Sequence, residues 1–489
     1  MTPTCSAPSP ADPVNLVVFG ATGDLAMRKI YPALASLCRN GLLSQDSRIL
    51  ASGRTRLSRE EYLNLAADKL AESIPAGCLQ DLLSRIDYLP LDPEEPGAAA
   101  PLAAILDQWD ADHSRHRLFY LAVPPSAYIA LATRLGEAGL GSEAEGRSVR
   151  MVVEKPFGRD LPTALELDAA LHLYFREEQI FRIDHYMAKE TVQNVLLLRF
   201  ANLLFEPVWN RRYIDHVTIT AAESLGIGHR AGFYDQAGVL RDMFQNHMMM
   251  LLALCAMEPP SLFQAELVRD ERSKVFRALR PLAPETLRDR LVLGQYGPGM
   301  VDGRPVPGYR QEPGIGEDST TPTFAWLQVH LDNWRWQGVP FYLCSGKRLA
   351  AKKTEIAIQF KSVPVSMFPN AHPGGVAPNR LVLGIHPEEV VRLEVQTKGP
   401  GSQLCLRTRF MDFFYGREDS PGRIDDYAKV LLDCITGDQT LFWRQDAVEL
   451  CWEFLTPILE QCDCPQQPVP LQIYPAGSDG PKISAGTRP

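Results

Sequence analysis

Residues 14–25, VNLVVFGATGDL, are the stretch that decides the fold of the first part of the chain. The apolar run that opens it is typical of a buried strand, and Gly20 and Gly23 permit a tight turn into a helix. Main-chain amides at such a turn hold a pyrophosphate against the positive end of the helix. Ala21 and Ala26 stand where the full fingerprint has its second and third glycines. The prediction of a dinucleotide loop therefore depends on its place between a strand and a helix.

The same alternation of strand and helix continues to about residue 185. The strand-like runs RILASG, RLFYLAV, SVRMVVE and QIFRID are separated by helical stretches, the first of them expected over residues 24–40. Strands alternating with helices predict a doubly wound parallel sheet. The fold class predicted for residues 14–185 is therefore α/β, Rossmann-like.

After about Phe200 the pattern changes to strands with few helices between them. HVTITAAE, TFAWLQVHL, EIAIQF, RLVLGI, VVRLEVQT and LCLRTRF are strand-like, and two helical blocks are expected, over residues 234–257 and 425–459. This order predicts an α+β domain with a large, mainly antiparallel sheet over residues 186–489. A mobile arm is expected over residues 1–13, and the Pro/Gly-rich tail from Pro465 is expected to lie extended on the surface.

Composition and charge exclude several classes of protein. The chain has 489 residues, 45% of them hydrophobic, and a net charge of −9, which argues against a general nucleic-acid binder. The longest apolar run, residues 248–257, is half the roughly 20 residues that span a bilayer. The ten cysteines form no CxxC pair, so neither a zinc site nor any other metal is expected. With no secretory signal at the N-terminus, a cytoplasmic protein without a membrane partner is predicted.

The second strand ends in SGRTR, which places Arg54 and Thr55 where NAD-specific proteins carry an acid for the ribose hydroxyl. An arginine at this position favours a 2′-phosphate and therefore NADP. An ordinary solvated surface arginine remains the alternative.

Residues 181–190, FRIDHYMAKE, combine acid, imidazole and ammonium groups between a strand and a helix. At the carboxyl end of a strand, where α/β sheets bind ligands, the cluster of Asp184, His185 and Lys189 could orient a base and hold an anion. A charged turn with a helix cap is the alternative.

A further lysine follows a strand in the segment Glu154-Lys155-Pro156. Pro156 could form a cis bond, and Lys155 would then contact a sugar hydroxyl or the nicotinamide region. A plain helix-capping loop competes with this interpretation.

The helix expected over residues 234–257 carries a histidine in its apolar stripe. His247 lies four residues after Met243 and four before Leu251, where leucine would be usual. Beside Asp242, a half-buried imidazole could serve as a general base near pH 7. A satisfied core histidine is the alternative.

Two lysines of the segment FYLCSGKRLAAKK, Lys347 and Lys352, could complete an anion pocket. Taken alone, they are equally consistent with solvated surface charges.

Several motifs occur together in the order found in one enzyme family. They are GATGDLAMRKIYPAL, LFYLAVPP, EKPFGRDL, RIDHYMAKE, DQAGVLRDMFQNH, SGKRLAAK and the terminal YPAGSDGP. On these motifs the chain resembles the glucose-6-phosphate dehydrogenases, from about Leu16 to Pro481. RIDHYMAKE is similar to the family signature RIDHYLGKE and is the most specific of them.

The resemblance implies an enzyme that oxidises glucose 6-phosphate with NADP to the 6-phosphogluconolactone, with NAD left open as a second coenzyme. It implies that His247 is the general base and that Asp184 orients it. The implied substrate-binding residues are Lys155, His185, Tyr186, Lys189, Glu223, Asp242, Lys347 and Lys352. The implied coenzyme residues are Gly20, Thr22, Gly23, Asp24, Leu25, Lys29, Arg54, Thr55 and Lys155.

The resemblance also implies a homodimer or homotetramer formed through the C-terminal sheet. Met27, Ala188 and Asp479 depart from the lysine, glycine and tryptophan usual in the family motifs. Two alternatives stay open: a dehydrogenase of another hexose phosphate, and a homologue that binds coenzyme and sugar phosphate without turnover.

Overall fold

The computed structural model describes residues 10–112, 114–144, 146–368, 376–402, 404–414, 424–463 and 469–483. The chain divides into two compact units. Unit 1 consists of Met1–Ala188, Leu262–Arg269 and Ser420–Glu449, and unit 2 consists of Lys189–Ser261, Asp270–Asp419 and Leu450–Pro489. Both units therefore combine segments that are distant in sequence.

Unit 1 contains a six-stranded sheet that is parallel throughout. Its strands are β1 (Val14–Phe19), β2 (Arg48–Gly53), β3 (Ile86–Pro90), β4 (His116–Leu121), β5 (Val149–Val153) and β6 (Ile180–Arg182), in the order β3-β2-β1-β4-β5-β6. The six residues of β1 are all buried, because the central strand of a parallel sheet is covered on both faces. The predicted Rossmann-like α/β fold is confirmed.

The helices of this first part are α1 (Tyr31–Arg39), α2 (Arg59–Leu70), α3 (Ala76–Ser84), α4 (Ala100–Asp110), α5 (Tyr128–Glu137) and α6 (Leu161–His172). Helix α2 begins with a capping box, in which Ser58 and Glu61 satisfy each other's main-chain amides. The helix expected from residue 24 is confirmed: residues 24 and 25 are helical, and a π-helical turn over Ala26–Ile30 connects them to α1.

From residue 189 onward the elements are α7 (Glu190–Phe200), β7 (Ile214–Ala222), α8 (Ala231–Val239), α9 (Met249–Ala256), α10 (Ala265–Arg277), α11 (Pro284–Arg290), β8 (Leu291–Gly297), β9 (Gly299–Val301), β10 (Arg304–Val306), β11 (Phe324–His330), β12 (Pro340–Gly346), β13 (Lys353–Phe360), β14 (Arg380–His386), β15 (Val390–Lys398), β16 (Leu406–Phe414), α12 (Asp426–Thr436), α13 (Gln445–Asp463) and β17 (Leu471–Pro475). Helix α12 belongs to unit 1.

Unit 2 is organised on a nine-stranded sheet in the order β16-β15-β14-β13-β7-β12-β11-β8-β17. Most neighbouring strands are antiparallel, which confirms the predicted α+β class. Two pairs, β7 with β12 and β8 with β17, are parallel. These parallel pairs join strands far apart in the chain, so the succession of strand-like runs did not indicate them.

The tail prediction is right only in part for residues 471–475, which are extended but belong to the nine-stranded sheet. They form β17 at the edge of the sheet, and the Tyr474 side chain is buried and donates from its hydroxyl to the carbonyl oxygen of Lys347 at 2.6 Å. Residues 464–468 of this tail lie outside the described residues, as do residues 1–9 of the predicted arm. Within the arm, Ala11 is described, and its amide donates to the carbonyl oxygen of Leu42 at 2.9 Å.

The two long helical blocks are each interrupted at a glycine. Gly238, with φ +62° and ψ 177°, ends the regular turns of α8, so the block over residues 234–257 is not one helix. Gly437, with φ +84°, ends α12, so the block over residues 425–459 is two helices. A left-handed glycine is a common helix end, whereas hydrophobic spacing alone continues across it. The polar helices α10 and α11 were not predicted.

None of the eight cysteines within the described ranges forms a disulfide. In the same part of the chain, no helix is long and apolar enough to cross a membrane.

Candidate functional site

The turn after β1 is built from main chain. Gly20 has φ +78°, and a Cβ at this position would lie 2.2 Å from the carbonyl oxygen of Ala122. The Gly23 amide donates to the carbonyl oxygen of Gly20 at 2.9 Å. A side chain at position 20 would therefore strain the backbone and collide with Ala122, the residue that follows β4. This turn can present its amides to a ligand only because glycine occupies it.

Ala21 shows why the second glycine of the fingerprint is dispensable here. Its side chain belongs to the hydrophobic core, and its amide donates to the carbonyl oxygen of Ser52 at 2.9 Å. The methyl group of Ala21 therefore packs into the hydrophobic core of unit 1 and leaves the space over the turn open.

A cleft of about 420 Å³ lies over this turn. Its lining includes Gly20, Thr22, Gly23, Ser52, Arg54 and Thr55. The predicted coenzyme residues Asp24, Leu25 and Lys29 lie outside this lining, with Asp24 paired to Arg28 at 3.3 Å. The cleft thus joins the glycine turn to the end of β2, as expected from the sequence.

The lining fits a dinucleotide. The glycine turn offers main-chain donors for a pyrophosphate, and the exposed Arg54 offers a fork of N–H groups for a further phosphate. The volume lies within the usual range for cofactor clefts.

At the end of β5, Glu154 is hydrogen-bonded to two tyrosines. It accepts a hydrogen bond from the Tyr120 hydroxyl at 2.7 Å, and its main-chain oxygen accepts one from the Tyr128 hydroxyl at 2.9 Å. Burial raises the pKa of the Glu154 carboxyl; the Tyr120 hydrogen bond and Lys155 oppose this, and Asp184 adds to it. The Lys155–Pro156 peptide bond is cis, as predicted.

Asp184 follows β6 and is buried, with 2% of its surface exposed. Its carboxylate accepts from the Tyr186 amide at 2.9 Å, and its main-chain oxygen accepts from the Met187 amide at 3.0 Å. The carboxylate is therefore held in a tight turn directly after the strand.

The His185 ring stacks on that of Tyr427 in α12, with 6.3 Å between centroids and 15° between planes. The Lys29 ammonium lies 5.6 Å from the centre of the same ring. Two residues that the resemblance assigned to substrate and coenzyme therefore share one aromatic neighbour. No sequence pattern indicated Tyr427, because it lies more than two hundred residues along the chain.

Arg182, the last residue of β6, anchors the strand just before Asp184 and His185. Arg182 is buried and donates to Asp168 at 2.5 Å and to Glu177 at 2.9 Å. Its main-chain oxygen accepts from the Trp443 amide at 3.1 Å. A buried charge paired in this way fixes the strand end from which Asp184 projects.

The boundary between the units falls between Ala188 and Lys189, inside the segment 181–190. Lys189 is the N-cap residue of α7, with an extended backbone. The other predicted site residues that belong to unit 2 are Glu223, Asp242, His247, Lys347 and Lys352.

His247 lies in a π-helical segment, Leu240–Met248, which follows the break at Gly238. Asp242, Asn246 and His247 are exposed by 4%, 0% and 2%. Asp242 pairs with the half-exposed Arg230 at 3.1 Å. π-Helical turns are frequent at functional sites. With Gln245, which is exposed by 1%, the segment has four buried polar side chains, and burying a polar group is costly unless it is hydrogen-bonded.

Glu223 and Lys347 are brought together at the ends of β7 and β12. The Lys347 ammonium donates to the Glu223 carboxylate and lies 5.0 Å from the ring centre of Tyr234. The Glu223 amide donates to the carbonyl oxygen of Gly346 at 2.9 Å. Burial, with Asp242 and Glu223 nearby, raises the pKa of Tyr234. Lys352, by contrast, is exposed just before β13.

Sequence reasoning missed Tyr120, Tyr234, Arg230 and Tyr427. Tyr234, Arg230 and Tyr427 each contact a predicted residue from another element, and Tyr120 contacts Glu154, the neighbour of the predicted Lys155, so no local spacing could have indicated them.

Two family models match the chain. Residues 17–194 match the glucose-6-phosphate dehydrogenase NAD binding domain, and residues 196–487 match the C-terminal domain of the same family. Among curated relatives, glucose-6-phosphate 1-dehydrogenase of Mycolicibacterium smegmatis is 44% identical over 98% of this chain and 96% of its own. The protein of that name from Treponema pallidum is 44% identical over 96% of this chain and 93% of its own.

Solved structures agree. One of glucose-6-phosphate dehydrogenase in complex with its substrate glucose-6-phosphate has a TM-score of 0.88 and 35% identity, covering 97% of this chain and 96% of that chain. Glucose-6-phosphate 1-dehydrogenase from Mycobacterium avium gives 0.81 and 34%, covering 96% of each chain. The chain belongs to the glucose-6-phosphate dehydrogenase family.

Proposed function

We propose that this chain oxidises D-glucose 6-phosphate to 6-phospho-D-glucono-1,5-lactone and reduces NADP, the first step of the oxidative pentose phosphate pathway. The observation that carries the proposal is the 44% identity to a curated glucose-6-phosphate 1-dehydrogenase over 98% of the chain. The cleft over the glycine turn supports it independently, because its lining fits a dinucleotide.

When bound, NADP would supply the hydride acceptor for the oxidation of the sugar. Gly20, Thr22 and Gly23 hold its pyrophosphate, with Asp24 and Leu25 opening the following helical turn. Arg54 and Thr55 bind the 2′-phosphate, and NAD binds more weakly because it lacks that group. Lys29 and Lys155 would contact the coenzyme, and Lys155 would contact the sugar as well.

His247 takes the proton from the hydroxyl on the carbon that is oxidised. General-base catalysis of this kind contributes on the order of 100- to 10,000-fold. Asp184 stabilises the imidazolium that results, in the role of the third member of a triad. Its burial and its position in a tight turn after β6 support this assignment.

The sugar phosphate is held away from the reacting carbon. His185, Tyr186 and Lys189 bind the phosphate, and Lys347 and Lys352 add positive charge. Glu223 and Asp242 accept hydrogen bonds from sugar hydroxyls, and Lys155 donates one. Remote binding of this kind fixes the geometry of the reacting atoms.

The domain functions and the assembly are part of the proposal. Residues 14–185 bind the coenzyme, and residues 186–489 bind the substrate and form a homodimer or homotetramer in the cytoplasm. Exposed apolar side chains on β16 support the assembly, with Phe410, Met411 and Phe413 exposed by 59%, 62% and 61%. Light scattering on the purified chain measures the oligomer, and a monomer at micromolar concentration contradicts it.

The activity is tested by following NADPH formation with glucose 6-phosphate, other hexose phosphates and free glucose, each with NADP and with NAD. We expect the highest kcat/KM for glucose 6-phosphate with NADP. Absence of turnover with every sugar would support the alternative of a homologue that binds without turnover. A higher kcat/KM for another hexose phosphate would identify that compound as the substrate.

A further inference from the structure

Two stacked tyrosines contact the two loops that line the coenzyme cleft of unit 1. Tyr62 lies in α2 and Tyr88 in β3, and their rings are parallel within 18° at a centroid distance of 4.4 Å. The Tyr62 hydroxyl donates to the carbonyl oxygen of Ala21, in the glycine turn, at 3.1 Å. The Tyr88 hydroxyl donates to the carbonyl oxygen of Thr55, in the second loop, at 2.6 Å. Each ring therefore holds a different loop.

The direction of these hydrogen bonds is fixed because a carbonyl oxygen can only accept, and for Tyr62 it also fixes the bond to a third tyrosine. The hydroxyls of Tyr31 and Tyr62 are 2.5 Å apart. A phenol has one proton, and that of Tyr62 goes to Ala21, so Tyr31 donates to Tyr62. Burial raises the pKa of Tyr31, Tyr62 and Tyr88. All three hydroxyls therefore stay protonated, and remain donors, throughout the physiological pH range.

The two loops hold different parts of a dinucleotide. The glycine turn faces the pyrophosphate, which NAD and NADP share, whereas the second loop carries Arg54 and Arg56 on either side of Thr55. Both arginines are exposed. An exposed arginine binds a phosphate weakly unless its backbone is already placed, because the long side chain loses conformational freedom on binding.

We propose that Tyr88 is a positioning residue that sets the preference for the 2′-phosphate, by holding the Thr55 carbonyl and with it the backbone of Arg54. Tyr62 holds the glycine turn in the same way, and it affects the affinities for NADP and NAD equally. This inference rests on the proposed function, because it assumes that the cleft binds NADP.

The test is calorimetric titration of the full-length protein with NADP and with NAD, without sugar. Tyr88→Phe keeps the ring stack and removes one hydroxyl. We expect the Kd for NADP to rise about threefold, the size of one neutral hydrogen bond, and the Kd for NAD to stay unchanged. Tyr62→Phe is the matched control, and it raises both Kd values by the same factor.

A double-mutant cycle with Arg54→Ser shows whether Tyr88 acts through that arginine. The effect of Tyr88→Phe on NADP binding disappears in the Arg54→Ser background if it does. An equal rise for NADP and NAD, no rise for NADP, or the full rise in the Arg54→Ser background would each overturn the inference. A wild-type chain that binds neither dinucleotide would instead overturn the proposed function.

Discussion

The glycine turn of unit 1 and the His247 segment of unit 2 are built on opposite principles. The turn offers main-chain groups in an open cleft, and its single strict requirement is the absence of a side chain at Gly20. The His247 segment offers side chains, and Asp242, Asn246 and His247 are all at least 96% buried. A coenzyme carries its own reactivity, so the protein needs only to bind and orient it. A proton transfer, by contrast, needs a side chain of suitable pKa at a defined position.

This difference predicts how the two regions respond to substitution. Buried polar side chains in unit 2 should be nearly irreplaceable for turnover. Exposed side chains around the cleft of unit 1 should adjust affinity and coenzyme preference by modest factors.

The largest effect is expected for His247→Asn, which keeps a polar side chain of similar size and removes the base. We expect kcat to fall about 100- to 10,000-fold. Steady-state NADPH formation measures it, with His216→Asn in β7 as the matched control that leaves kcat unchanged. A His247→Asn enzyme with more than about a tenth of wild-type kcat would remove the contrast between the regions.

The next effect is expected for Lys189→Ala, which removes an ammonium from the proposed phosphate group. The KM for glucose 6-phosphate should rise about 10- to 150-fold, the range for a hydrogen bond to a charged partner, while kcat/KM for free glucose stays unchanged. Lys353→Ala is the control, since Lys353 is exposed and pairs with Glu355 at 2.7 Å. Equal losses for both sugars would refute a phosphate role.

Gly20→Ala tests the main-chain cradle. We expect the KM for NADP and for NAD to rise together about fivefold to thirtyfold, which corresponds to 1–2 kcal/mol, because the turn must shift to relieve the contact of the added Cβ with the Ala122 carbonyl oxygen. Gly41→Ala is a matched control, because Gly41 has φ +67° but open space around its Cβ position. If the two variants behave alike, the close approach to Ala122 has no functional role.

The smallest effect is expected for Arg54→Ser, at an exposed position. The KM for NADP should rise about tenfold, corresponding to one charged hydrogen bond, with no change for NAD. Arg39→Ser, at another exposed arginine of unit 1, serves as the control. A loss shared by both coenzymes would show that Arg54 supports the loop instead of reading the 2′-phosphate.

The two regions also differ in how well the sequence predicted them. The turn at Gly20 is local, so a buried strand followed by two glycines was enough to predict the loop. The parallel sheet was predicted from the alternation of strands and helices and is confirmed. The chain's membership in the glucose-6-phosphate dehydrogenase family was likewise indicated by ordered motifs and is confirmed by the family models.

The His247 segment was predicted less completely. Hydrophobic spacing placed His247 on a helix, but it did not show the break at Gly238 or the π-helical turns that follow. The pairing of Glu223 with Lys347 joins residues 124 positions apart, and pairings of that kind leave no local pattern. The catalytic and binding roles of these residues stay predictions.

We propose that separate groups of residues carry out substrate binding and proton transfer, and that His247 serves only the proton transfer. Calorimetric titration of the His247→Asn protein with glucose 6-phosphate tests it most directly. We expect a Kd within about twofold of the wild-type value in a protein that has lost turnover, which is the behaviour of a group that acts only in the transition state. A Kd weakened in proportion to the loss of kcat would contradict it.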